Sequence, residues 1–346
     1  YDKWELMDRW GIVLHDADYS NSTDIDARMT DFDGIPVVGV CENAFFNDKE
    51  ITSIKFSNNL ERIENGAFWG ASNLKTITFS DGGKGLKKID SLAFKDCSSL
   101  ESIDLSNAEI TEIPVRAFEN CTSLKSIKLP STVTKIADNA FAGCSNLEEI
   151  KGLEQCKISE LSATAFDGCV RLKDINLSNA TIAAIPDQIF SGMRGLISAT
   201  VPKTVTSIGT EAFYACKNLE MINGLSDCDI TKIGEKAFYN CWSLKEADLS
   251  GSSLTVLPAS AFKGDTALLS VKMPENLNEI GNEAFYGCSA MKKLDLNNTR
   301  LTTIGNSALS DMTSLMYINL PDTVNSVGAK AFDLNLRLDS SDTALM

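Results

Sequence analysis

Histidine is almost missing from this chain of 346 residues; the single one is His15. Triads built on serine or cysteine need an imidazole base, so none can lie in the remainder of the sequence. Carboxylate pairs exist, but among 47 acidic residues some pairing is inevitable and marks no site. No two cysteines form a C-x-x-C pair, which argues against a zinc site. No apolar run is long enough to cross a bilayer, and no glycine-rich phosphate loop opens a helix. Positive charge is short as well: 32 Lys and Arg against 47 Asp and Glu leave a net charge of −15. A surface of that sign repels nucleic-acid phosphates and anionic membranes, so neither is an expected partner. No signal-peptide pattern starts at Tyr1, so an export signal is expected to have been removed or never included. These gaps point away from an enzyme and imply no cofactor and no metal.

What the chain has in abundance is one dipeptide. Ala-Phe recurs at Phe45, Phe68, Phe94, Phe118, Phe141, Phe166, Phe213, Phe238, Phe262, Phe285 and Phe332, with Ile189-Phe190 and Ala308-Leu309 as variants. From Phe45 to Phe332 the steps are 23, 26, 24, 23, 25, 24, 23, 25, 24, 23, 24 and 23 residues. That period is too short for a domain and too regular for chance. It marks a solenoid, whose coils cannot bury an apolar face alone and stack on their neighbours. In Leu124–Cys144, Leu124, Ile127 and Leu129 run L-x-x-I-x-L, and the last two alternate as a strand requires. Val133 and Ile136 add a second apolar pair. The coil then turns into Ala-Phe-x-x-Cys, which reads as a short helical turn.

These positions match the leucine-rich repeat pattern L-x-x-L-x-L-x-x-N-x-L. Coils with a proline after the strand (Leu129-Pro130, Val201-Pro202, Met273-Pro274, Leu320-Pro321) and Ala-Phe-x-x-Cys at the end resemble its bacterial BspA-like branch. The resemblance implies an α/β solenoid, a right-handed superhelix of about 12–13 coils with a parallel β-sheet on the concave face and short helical turns on the convex face. It divides the chain into an N-terminal cap, 1–34, a solenoid, 35–335, and a C-terminal cap or tail, 336–346. It also implies an extracellular role at the bacterial cell surface, as an adhesin-like monomer recognising a host or microbial protein or a glycan. The chain departs from the general pattern at its Asn, replaced by Ala108, Ala180, Ser252, Cys156 and Cys228. The interior polar ladder is therefore expected to be weak and packing to hold the coils together.

Within the cap, Trp4, Leu6, Met7, Trp10, Ile12 and Leu14 crowd together, suited to covering the end of a stack or to meeting a partner. In Asp16–Asp26, residues Asp16, Asp18 and Ser20 fit the start of a calcium loop. Asn21 and Ala27 fail its later positions, and a polar surface loop reads better. Seven cysteines (Cys97, Cys121, Cys144, Cys169, Cys216, Cys241 and Cys288) stand three residues after the repeat's Phe or its equivalent. Asp48, Ala71, Met193, Asp265 and Met312 occupy that position elsewhere, so a buried thiol column is favoured over disulfides. A higher order appears as well. Pro114, Pro186 and Pro258 lie 72 residues apart, as do Pro130, Pro202 and Pro274, which reads as block duplication. After Phe332, Leu334, Leu336 and Leu338 alternate as a closing strand would.

Binding is the expected function, and the strand face is where to seek it. Side chains flanking the inward Ile point outward. One outward column is Lys55, Thr78, Asp104, Lys128, Lys151, Asn176, Thr200, Asn223, Asp248, Lys272, Asp295 and Asn319. Its neighbour is Ser53, Thr76, Ser102, Ser126, Glu149, Asp174, Ser198, Met221, Glu246, Ser270, Lys293 and Tyr317. Met221, Asn223, Glu246, Asp248, Lys272, Asp295 and Tyr317 vary most in chemistry and are the candidate binding residues. A competing convex patch comprises Tyr214, Tyr239 and Trp242. The competing functions are a spacer presenting another domain and a hydrolase built on carboxylates.

Overall fold

Each coil yields two strands because its apolar residues alternate twice. Ile127 lies between Ser126 and Lys128 in one strand, and Ile136 ends the next, Lys135–Ile136. The computed structural model describes residues 36–332 in full and, before them, the backbone of Trp4–Leu6, Ile12–Leu14 and Asp24–Ala27. It holds two units, Tyr1–Leu172 and Lys173–Met346. Each is a parallel-strand β-solenoid.

In the first unit six parallel strands form the longer-stranded sheet: Asp24–Ala27, Ser53–Phe56, Thr76–Phe79, Ser102–Asp104, Ser126–Lys128 and Glu149–Lys151. Register is kept residue for residue, with Ile103, Ile127 and Ile150 side by side. Short strands such as Glu112–Ile113, Lys135–Ile136 and Glu160–Leu161 line a second side. The second unit repeats the plan. Its longer strands are Asp174–Asn176, Ser198–Thr200, Met221–Asn223, Glu246–Asp248, Ser270–Lys272, Lys293–Asp295 and Tyr317–Asn319.

Between the sheets runs the apolar interior. Phe118 and Phe141 stack at 5.5 Å between ring centroids and Phe141 and Phe166 at 5.7 Å, with ring planes within 5°. Phe213, Phe238, Phe262 and Phe285 form a corresponding file in the second unit. All seven are fully buried, each contributing about 1.5–3 kcal/mol of apolar burial.

The expected helical turns on the far side are absent. Among the described residues the helical segments are three 3₁₀ turns, Ser80–Gly83, Leu153–Gln155 and Leu225–Asp227, and none lies at Ala-Phe-x-x-Cys. The reason is in the hydrogen bonds. Around Phe118, alternate N–H groups reach back three residues (Ala117 to Pro114, Glu119 to Arg116, Cys121 to Phe118). Those between them donate to the following coil (Arg116 to Asp138, Phe118 to Ala140, Asn120 to Ala142). An α-helix would need every donor for its own i−4 carbonyl. Arg116 and Asn120 also stand at φ +56° and +60°, in the left-handed region that breaks a helix. The second of these positions is filled by Asn47, Gly70, Asp96, Asn120, Gly143 and Gly168 in successive coils, residue types that tolerate the left-handed region.

At the Asn position the polar ladder is sparse, since Ala108 and Ala180 have no polar group and Ser252 bonds to Leu249 O of its own coil, but cysteine supplies a second one at the turn. Cys97, Cys121, Cys144 and Cys169 donate Sγ–H to the Phe carbonyl of the preceding coil at 3.0–3.2 Å. Cys156, at the Asn position, donates to the Pro130 carbonyl at 3.3 Å, and Cys228 to that of Pro202 at 3.3 Å. All ten cysteines are free thiols and buried.

Before residue 36 the structure places strands where no repeat is visible. Ile12–Leu14 pairs in parallel with Val37–Val40, and Trp4–Leu6 pairs antiparallel with it. Asp24–Ala27 pairs in parallel with Ser53–Phe56, so Asp24 and Asp26 belong to a strand rather than to a surface loop. Met7, Trp10, His15, Asp16, Asp18, Ser20 and Asn21, and Leu334, Leu336 and Leu338, lie outside the described residues.

Candidate functional site

The longer strands present an outward surface in each unit, one sheet in the first and three successive sheets in the second, and its dressing differs. In the first unit, charged side chains neutralise one another. Lys128 Nζ meets Asp104 Oδ2 at 2.5 Å, Lys151 meets Glu149 at 3.2 Å, and Lys125 approaches Glu101 to 3.6 Å. Burial pushes the Asp104 carboxyl up, but hydrogen bonds from Lys128 and Ser106 outweigh it and hold the group below the ordinary carboxylate range.

In the second unit the same surface carries all seven strand-face candidates. Asn223, Asp248, Lys272 and Asp295 form one column. Met221, Glu246 and Tyr317 lie in the other. The first column is largely self-satisfied. Lys272 Nζ meets Asp248 Oδ2 at 2.7 Å, Asp295 meets Lys293 at 3.3 Å and accepts from Asn319 Nδ2 at 3.1 Å, and Asn223 Nδ2 donates to Thr200 Oγ1 at 3.4 Å. Asp248 titrates like Asp104: burial raises it, and bonds from Lys272 and Ser250 bring it below the ordinary range. The three candidates of the second column are less engaged. Met221 is 45% exposed and Tyr317 56%, and Glu246 forms no ion pair among the described residues.

A third column runs one residue ahead of each strand and was not anticipated. Its backbone hydrogen bonds link Lys173, Ile197, Glu220, Lys245 and Leu269 in turn, and Met316 N donates to Lys292 O at 3.0 Å. Ile197, Leu269 and Met316 are exposed by 44%, 56% and 50%. Glu220 and Lys245 pair at 2.5 Å. The signal that finds these residues is an apolar side chain directly after the repeat's buried Leu, out of phase with the strand, at Leu196-Ile197, Leu268-Leu269 and Leu315-Met316. In the first unit that column reads Thr52, Lys75, Glu101, Lys125 and Glu148, with no apolar member.

Of the turn-side aromatics, Tyr214 and Tyr239 meet each other, while Trp242 meets Lys217 instead. Tyr214 and Tyr239 stack at 5.0 Å with planes 9° apart, and Lys217 Nζ lies 3.8 Å from the Trp242 ring centroid. One face of each ring is thereby occupied within the chain, and both tyrosines are half-buried. Beside the short strands lie two shallow grooves at positions 72 residues apart. The first, of about 640 Å³, includes Glu112, Pro114, Lys135, Asp138 and Glu160. The second, of about 320 Å³, includes Ala184, Pro186, Ser207, Thr210 and Lys232. In the first, Lys135 bridges Glu112 at 3.9 Å and Glu160 at 3.3 Å, which occupies its charge. No group of three or more His, Cys, Asp and Glu side chains that could hold a metal ion occurs among the described residues. Burial pushes the thiols of Cys97, Cys121, Cys169, Cys241 and Cys288 well up, and that of Cys216 to about 12, the wrong direction for a nucleophile. No described helix is long and apolar enough to cross a membrane.

The sequence model of the BspA type leucine rich repeat region, six copies long, matches residues 39–159, 111–237, 153–268 and 231–343. Among solved structures, a leucine-rich repeat protein from Bacteroides ovatus ATCC 8483 is similar at 25% identity. The match covers 97% of this chain and 92% of that one, with a TM-score of 0.63. A leucine rich cell surface protein from Faecalibacterium prausnitzii A2-165 is 22% identical over 94% of this chain and 92% of its own, with a TM-score of 0.45. A leucine-rich repeat protein from Eubacterium ventriosum ATCC 27560 is 19% identical over 90% and 82%, with a TM-score of 0.43. No curated protein matches this chain.

Proposed function

Because the chain belongs to the BspA-type leucine-rich repeat family, we propose that it is a non-enzymatic binding module at a bacterial cell surface. In this reading it recognises a protein ligand, host or microbial, through the strand face of the Lys173–Met346 unit. Leucine-rich repeat proteins are typically surface or binding modules, which supports the class of function. The observation that carries the choice of surface is the contrast between units. Ile197, Met221, Leu269, Met316 and Tyr317 all stand exposed on one strand face. The corresponding columns of the first unit hold none. Exposed apolar side chains rimmed by paired charges are the anatomy of a protein interface. A glycan site would call for flat aromatic platforms, and Tyr317 is the single aromatic side chain on this face.

The test is a binding screen of the purified chain against immobilised extracellular-matrix proteins and intact bacterial cells. The combined variant Ile197→Ser, Leu269→Ser, Met316→Ser and Tyr317→Ser is expected to abolish saturable binding while keeping the wild-type circular dichroism spectrum. Undiminished binding by this variant refutes the surface. A chain with no saturable ligand acts as a spacer.

A further inference from the structure

The third column ends in an arrangement that sets it apart from the rest of the face. Leu269, Lys292 and Met316 succeed one another in three adjacent coils, with Tyr317 beside Met316. The other cations close by are matched: Lys245 by Glu220, Lys272 by Asp248 and Lys293 by Asp295. Lys292 is exposed and has no carboxylate or hydrogen-bond acceptor for its ammonium among the described residues. Its neighbours within the column are apolar and exposed by 50% or more.

We infer that this site receives an amphipathic helix of a partner protein, with an acidic residue over Lys292 and apolar residues over Leu269 and Met316. This rests on the binding reading above and specifies the partner. The charge is set by Lys292, an exposed cation with a partner still to be met. The form is set by spacing. Lys292 and Met316 flank paired strands about 4.8 Å apart. Between Leu269 and Lys292 the longer strands are not paired, and the coil step there is set by the Phe262–Phe285 stack at 5.6 Å. Leu269 and Met316 are therefore separated by about 10 Å with Lys292 near the middle. Along an α-helix, residues three or four apart advance about 4.5–6 Å and residues seven apart about 10.5 Å. A helix lying along the stack therefore places positions i, i+3 or i+4, and i+7 over the three side chains in order. An extended segment repeats on one side every ~6.8 Å and falls out of step. A uniformly acidic partner is disfavoured, because Glu246 stands unpaired two coils from Lys292 and the chain carries a net charge of −15. The required stripe is apolar, acidic, apolar.

The experiment is selection of phage-displayed helical peptides, randomised at those three stripe positions, on the intact chain. The expected outcome is enrichment of Asp or Glu at the central position and of Leu, Ile, Met or Phe at the outer two. A synthetic peptide of the selected sequence should shift the Met316 methyl NMR signal saturably. Lys292→Glu should weaken it at least tenfold, about 1.4 kcal/mol, and a lysine at the peptide's centre should restore binding to that variant. No enrichment, or enrichment without a central acid, overturns the inference. Peptides indifferent to Lys292→Glu but lost with Leu269→Ser and Met316→Ser overturn the acidic anchor and leave the binding face intact. Peptides indifferent to all three substitutions overturn both.

Discussion

Residues 144 apart occupy equivalent positions in the two units, and comparing them separates what the fold requires from what it leaves free. Inside, Phe94, Phe118 and Phe141 become Phe238, Phe262 and Phe285, and the ring spacings hardly change. Outside, the Asp104–Lys128 pair returns as Asp248–Lys272. The neighbouring Glu101–Lys125 pair does not: its positions hold Lys245 and Leu269, and Glu148 becomes Lys292. The two units share this Phe file, while part of the surface is paired charge in one and exposed apolar groups in the other. Packing constrains the first, because each coil must fit its neighbours on both sides. Solvent places no such demand on the second, so departures from the block are where recognition is expected.

The sharpest test of equal interiors is Phe118→Ala against Phe262→Ala. Each is expected to lose about 3–5 kcal/mol, read as a drop in urea midpoint, and the two losses should agree within about 1 kcal/mol. A large inequality breaks the comparison.

At the turn column a buried thiol of one unit gives way to a buried carboxyl in the other. Cys121 corresponds to Asp265, which is wholly buried. Its Oδ1 accepts the Cys241 N–H at 2.8 Å, while Oδ2 has no partner. Around it are the thiols of Cys216, Cys241 and Cys288 and, among the described residues, no cation. Burial holds the carboxyl well above its ordinary range despite the opposing Cys241 N–H. The folded chain therefore keeps a proton that the unfolded chain releases. The stability linked to it is complete below the ordinary Asp pKa and is lost as pH rises toward the folded value, by up to about 1.4 kcal/mol per pH unit. Asp265→Cys is expected to flatten that slope and to gain about 1–3 kcal/mol near pH 8. Denaturation across a pH series checks this; parallel curves for the two proteins refute it.

The smallest effect distinguishes Gly143 from Gly192, which share the turn position two residues after Phe, at φ +75° and +71°. Either becomes strained as Ala, by about 1–2 kcal/mol. At Gly192 a Cβ meets open space, whereas at Gly143 it overlaps Asn120 Oδ1 and disturbs the Asn120–Asp96 hydrogen bond of 2.8 Å. Gly143→Ala should therefore cost about 0.5–1 kcal/mol more, measured by thermal melting of both variants.

The period of Ala-Phe was enough to place the Phe file, the paired strands and the buried thiols, because apolar spacing in a solenoid maps directly onto its interior. The turns were misread, since Ala-Phe-x-x-Cys has helical spacing and only the bonds to the next coil, invisible in a single repeat, forbid a helix. Asn, Gly and Asp two residues after Phe were the overlooked hint. Likewise Asp24–Ala27 carries no Ala-Phe, and its strand emerges only from pairing with Ser53–Phe56. On the surface, the columns containing Met221 and Tyr317 followed from alternation. Ile197, Leu269 and Met316 did not, because they sit outside the strands that alternation describes. Which charges are spent on one another is a matter of side-chain geometry between coils, and that no list of residues reveals.

The forward-pointing turn donors also give the fold a direction in time. Arg116, Phe118 and Asn120 all hand their N–H groups to residues synthesised 22 positions later, and Phe45, Phe94, Phe213 and Phe285 to residues 22 to 24 positions later. As the chain leaves the ribosome, the turn donors of the newest coil still face water, while its strand-side donors, such as Lys125 N to Glu101 O and Thr134 N to Thr111 O, already reach back to the coil before. Every finished turn thus offers the next coil a row of bonds to complete.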